Sequence, residues 1–109
     1  MAETIKVLGQ EAPPATTATD VYTVPSATSA VVSTIIIANR AATAGTFRLS
    51  VRPNGGTQTD AMYCAYDVPV AGNDSTTLTL GLTVDATDVI TVYCSSADMS
   101  INIFGTEIS

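Results

Sequence analysis

Apolar and polar residues alternate with period two along most of this chain, the pattern of strands with one face in a core and one in water. In residues 77–84, Leu78, Leu80, Leu82 and Val84 point one way and Thr79, Gly81 and Thr83 the other. Residues 46–52 repeat the pattern, with Phe47, Leu49 and Val51 inward and Arg48, Ser50 and Arg52 outward, before Pro53-Asn54-Gly55-Gly56 turns the chain. Further strands are expected over residues 62–70, 89–95 and 99–104. The last carries Met99, Ile101 and Ile103 on one face and a bulge or strand end at Gly105. Ala71-Gly72-Asn73-Asp74 and Ser95-Ser96-Ala97-Asp98 supply the turns between them. About eight such strands at this spacing predict an all-β fold, an antiparallel β-sandwich of jelly-roll-like or Ig-like topology.

Two segments depart from the pattern. In residues 31–38, Val31, Ile35 and Ile37 lie on one side and Val32 and Ile36 on the other, so both faces are apolar and both need cover. A second sheet covers one face. The other calls for a loop, an N-terminal arm or a neighbouring subunit, which makes Val32 and Ile36 candidate interface residues of a homo-oligomer. Residues 1–19 read as an N-terminal arm or edge strand preceding a single domain over residues 20–109. Their apolar stretch holds Ile5, Val7 and Leu8, and the adjacent Pro13 and Pro14 favour extended backbone that cannot continue a ladder. Such a segment suits the edge of its own sheet or an arm laid on a neighbour.

Composition agrees with strands, because eighteen of the 109 residues are Thr, accompanied by many Val and Ile. Apolar residues make up 46% and charged residues 13%, too hydrophobic for disorder and sparing in the charge that covers an isolated monomer. Four basic against ten acidic residues give a net charge of −6, which opposes phosphate neutralisation and argues against nucleic acid as a partner. The apolar runs are of strand length, well short of the roughly 20 residues a spanning helix needs, so no membrane partner is expected. The start shows no charged region followed by a long apolar core, so a cytoplasmic origin is expected. There, Cys64 and Cys94 are expected as free thiols rather than a disulfide.

Chemistry-bearing patterns are few. The chain contains no His, which removes Ser-His-Asp and Cys-His nucleophiles and the commonest metal ligand together. The two cysteines form no Cys-x-x-Cys pair, and no glycine-rich phosphate loop precedes a helix. Asp85 and Asp88 flank a turn, where Asp accepts from local backbone, and Asn73-Asp74-Ser75 reads as a turn rather than a glycosylation acceptor. No enzyme, cofactor or metal is expected. Arg48 and Arg52, with Arg40 before the following turn, form the most specific polar feature. They suit an acidic patch on another subunit, or else an ordinary solvated face. Tyr63 and Tyr66 fall on opposite faces of a regular strand.

Several longer patterns carry a resemblance: Lys6-Val7-Leu8-Gly9-Gln10, Tyr22-Thr23-Val24-Pro25, Phe47-Arg48-Leu49-Ser50-Val51-Arg52-Pro53, Ala65-Tyr66-Asp67-Val68-Pro69 and Ile103-Phe104-Gly105-Thr106-Glu107-Ile108. Together they make the chain similar to a family of small virion-associated proteins of tailed bacteriophages. The resemblance implies a virion structural protein assembled in the bacterial cytoplasm. Foremost is a capsid decoration or cement protein bound to the major capsid protein, commonly as a homotrimer. A tail, neck or fibre component is the nearest competitor. A receptor- or carbohydrate-binding module is a separate class, against which stand the absence of Trp and tyrosines placed mainly in strands.

Overall fold

The structure, a computed structural model, describes residues 2–109. Nine strands follow one another: β1 Glu3–Glu11, β2 Thr19–Thr23, β3 Ser29–Asn39, β4 Gly45–Arg52, β5 Tyr63–Val70, β6 Ser75–Leu78, β7 Leu82–Val84, β8 Val89–Cys94 and β9 Met99–Ile108. Only two short 3-10 turns, Pro53–Gly55 and Asp60–Met62, interrupt them. The first sheet runs β1-β9-β3-β6, with β7 also on β3, and the second runs β2-β8-β4-β5. All these pairings are antiparallel.

This order separates the two topologies that alternation left open. β6 and β7 lie on the same edge of β3 and act as one interrupted strand. The chain then pairs first strand with last, second with second-last, and so on to the central β4–β5 hairpin. A long antiparallel ribbon rolled in this way, with successive strands alternating between sheets, is a jelly roll.

The core lies between the sheets. Phe47, Leu49, Ile90 and Cys94 from one and Ile35, Met99, Ile101 and Ile103 from the other are all 0% exposed. Burying each large apolar side chain is worth roughly 1.5–3 kcal/mol. Asn39 is buried among them and fully used: its amide nitrogen donates to the carbonyls of Thr43 (2.9 Å) and Val70 (3.1 Å), and its oxygen accepts from the Ala41 N–H (3.0 Å). Near the other end, the Tyr22 hydroxyl donates to Glu107 Oε2 at 2.6 Å and Lys6 Nζ lies 3.3 Å from Oε1. Those bonds, the tyrosine's first, hold the Glu107 carboxyl below its usual range. A carboxyl depressed on folding stabilises above its unfolded pKa of about 4.3, and the contribution is lost as pH falls through the lower folded value. Tyr22→Phe is therefore expected to remove about 1 kcal/mol at neutral pH and to flatten the acid limb of the stability profile, measured by urea melts from about pH 6 to pH 3.

Three expectations are corrected, each by an irregularity in a ladder. In β3, Ser33 has no counterpart in β9, the register passing from Val32↔Gly105 to Thr34↔Phe104. This bulge shifts the alternation, so Val32 joins Ile35 and Ile37 in the core at 1% exposure, while Val31 and Ile36 face outward. In β1, Leu8 follows the outward Val7 and so points inward, and a matching shift leaves it without a counterpart in β9. Both irregularities sit against Gly105, where an added Cβ would lie 2.2 Å from the Val31 carbonyl oxygen and 2.9 Å from Leu8 Cδ1. The bulge anticipated at Gly105 thus occurs in its neighbours, and β9 continues to Ile108.

Second, residues 77–84 do not form one strand. Gly81 adopts φ +60°, and the chain leaves β3 between Leu78 and Leu82, exposing Leu80 at 44%. Third, β5 carries two register shifts against β4, one around Tyr66 and Asp67 and one at Cys64. The one at Cys64, which falls between the two tyrosines, brings Tyr63 and Tyr66 onto the same face. The N-terminal segment is an edge strand of its own sheet, paired to β9 from Glu3↔Ile108 to Glu11↔Ile101.

Candidate functional site

Two outward sheet faces present the side chains that could meet a partner. On the first sheet, ladder neighbours share a face, so the pairs Ile5↔Thr106, Val7↔Phe104, Val31↔Thr106, Thr34↔Phe104 and Ile36↔Asn102 define one continuous surface across β1, β9 and β3. Ile5 is 87% exposed, Val7 44% and Val31 38%, while Ile36 and Phe104 are half-buried among them. Glu3 stands at one end and Arg40 at the other, where its guanidinium donates to Ser100 Oγ (2.9 Å) and the Ala97 carbonyl (3.1 Å). The outward positions between them on these strands are uncharged, because Lys6 and Glu107 turn inward toward Tyr22.

Of the residues singled out for this role, Ile5, Val7 and Ile36 therefore share a surface. Val32 and Leu8 belong to the core and cannot serve it. Val31 and Phe104 were missed, and the only sequence signal for them was the glycine after Phe104 that forces the neighbouring bulges.

The outward face of the second sheet is polar and aromatic. Arg48 opposes Tyr93 in the ladder and Arg52 opposes Val89, so both arginines face outward as expected. Their carboxylate partners are in the same chain. Arg48 Nε donates to Asp67 Oδ1 at 2.7 Å and Arg52 Nη2 to Asp20 Oδ1 at 2.9 Å. Arg52 also donates to Thr91 Oγ1 and to the Gly55 and Gly56 carbonyls. An unpaired arginine stripe awaiting an acidic patch is thus not what the fold presents, and Arg40 lies on a different surface.

Around Arg48 the tyrosines converge. Its guanidinium carbon lies 4.2 Å from the Tyr66 ring centroid and 4.5 Å from that of Tyr93, and Tyr63 meets Tyr66 edge-on at 4.9 Å between centroids. Stacked guanidinium and edge-to-face rings are favourable arrangements. Asp85 and Asp88 cap their own turn, Asp88 accepting from the Asp85 and Asn54 N–H groups at 2.8 Å each. Among the described residues, no group of three or more acidic or cysteine side chains is placed to hold a metal.

Both cysteines are free thiols. Cys94 is at the core and its thiol is pushed up to about 11 by burial; Cys64 is exposed on the edge strand β5, also raised by partial burial. Since the thiolate is the nucleophile, iodoacetamide at mildly alkaline pH is expected to label one thiol per native chain, Cys64, and both only in denaturant, as read by mass spectrometry.

Comparison of the chain with protein-family models, with curated proteins and with solved structures finds no match.

Proposed function

We propose that this protein is a non-enzymatic structural component of a tailed-phage virion, a decoration protein that docks on the assembled capsid shell and stabilises it. The observation that carries the reading is the uncharged aliphatic surface of β1, β9 and β3 on a molecule of net charge −6. An acidic protein that clears charge from one broad face keeps solubility elsewhere and leaves that face ready to be desolvated. The molecule is a slab of 45 × 28 × 19 Å, so a broad face is ample for the roughly 800 Å² per partner that a stable interface buries. The resemblance to small virion proteins supports the same setting, with the major capsid protein as partner and a homotrimer as the unit that binds. Several modest contacts per trimer then fasten the shell by avidity.

The test mixes purified protein with undecorated capsids and measures co-sedimentation and the temperature at which the shells burst. Binding with a raised burst temperature is expected. Absence of both co-sedimentation and protection would overturn the reading, and density at a tail, neck or fibre in images of the particle would relocate it.

A further inference from the structure

We propose that the outward face of the second sheet binds a sugar ring, with the exposed tyrosine platform beside Arg48 as its stacking surface. This inference does not depend on what the opposite, aliphatic face docks against.

The platform is assembled against the local preference of the backbone. In a regular strand, Tyr63 and Tyr66 would point to opposite faces; the register shift at Cys64, between them, brings both outward. A second shift, beyond Tyr66, holds Asp67 at φ +50° with its carboxylate on the same outward face against Arg48. The result is an aromatic surface left in water, Tyr66 being 56% exposed. A fold gains little stability from a bulge that exposes an aromatic ring. A binding face gains a rigid platform.

The chemistry around the rings narrows the ligand. The position where a ligand cation would sit between two rings is occupied by Arg48, at 4.2 Å from Tyr66 and 4.5 Å from Tyr93. Asp67 already takes the charge of that guanidinium at 2.7 Å, so an anion would find no free positive group there. What remains suits a neutral ligand with an apolar flat side and hydroxyls at its rim. The hydroxyls of Tyr63, Tyr66 and Tyr93, unlike that of Tyr22, make no hydrogen bond to another described residue and are open to such a rim. Beside them lies a notch of about 30 Å³ lined by Tyr63, Tyr93, Gln58 and Ser50, the size of one water or one hydroxyl group. A pyranose ring stacked on an aromatic face, with one hydroxyl in the notch, meets all of these features.

The test is native electrophoresis of the free protein through gels containing one soluble polysaccharide each: a β-glucan, a galactomannan, a bacterial O-chain polysaccharide or a mucin. The arms separate bacterial from mucosal sources. Retardation is expected in at least one gel, weakened about tenfold or more in Tyr66→Ala, retained in Tyr66→Phe, and unaffected by Ile36→Asp on the opposite face. Thermal melts establish that each variant is folded, and Tyr93→Ala provides a second loss of platform. Migration unchanged in all four gels, or equal retardation of wild type and both alanine variants, would overturn the proposal. Retardation only by the protein core of the mucin, persisting after its glycans are removed, would overturn it in favour of a peptide ligand.

Discussion

Gly105→Ala is expected to destabilise the fold by about 3 kcal/mol, because the new methyl has no direction in which to move. It would meet the Val31 carbonyl oxygen at 2.2 Å and the Val32 Cα at 3.0 Å, both backbone atoms of the central ladder, besides the Leu8 side chain. Relief requires β3 and β9 to separate where both neighbours of β9 are already bulged. Gly81→Ala makes the contrasting case. Its φ of +60° strains any residue with a Cβ, but nothing lies within 4 Å, so about 1 kcal/mol is expected. Urea melts of the two variants read the difference directly. Equal losses would mean that the strands are not packed around Gly105 as described.

Ile36→Asp is expected to leave the fold intact, at a loss within about 1 kcal/mol, and to abolish co-sedimentation with capsids and reduce the solution mass to that of a monomer. Its side chain stands on the outward face in β3, between Asn102 and Thr77, where a carboxylate is tolerated in water but not under a partner. Val32→Ala should do the reverse. Truncating a side chain 1% exposed costs about 2 kcal/mol while the face itself stays unaltered. Capsid binding and an unchanged mass in Ile36→Asp would remove this face from the assembly.

Where a strand keeps strict alternation, its role is legible from the chain alone. Phe47 and Leu49 in β4, and Met99, Ile101 and Ile103 in β9, are all at 0% exposure as their spacing predicts. The errors arise where the phase is reset by something distant in sequence. Ser33 is unremarkable locally, and its bulge follows from the fit of β3 to Gly105, more than seventy positions away. Leu80 continues a pattern that looks regular until Gly81 takes a left-handed conformation. The candidate sites inherit these limits. Ile5, Val7 and Ile36 are identifiable as apolar residues in want of cover, but their union into one surface is a property of the register. The tyrosine platform was hidden for the same reason, since the shift at Cys64 in β5 overturns the expected opposition of Tyr63 and Tyr66.

The rolled ribbon also sets an order of assembly in time. The gap between partnered residues widens steadily from the middle, from Ser50↔Tyr63 through Ala38↔Ser75 and Thr23↔Val89 to Glu11↔Ile101. Each outer rung closes cheaply only after the one inside it has formed, so folding is predicted to nucleate at the β4–β5 hairpin and zip toward both ends, at the slow rates of high-contact-order β-proteins. β9 lies between β1 and β3, so the aliphatic surface is the last part of the molecule to exist. A nascent chain that has not yet delivered β9 has no such surface to offer, so the proposed docking would have to wait until the whole domain has folded.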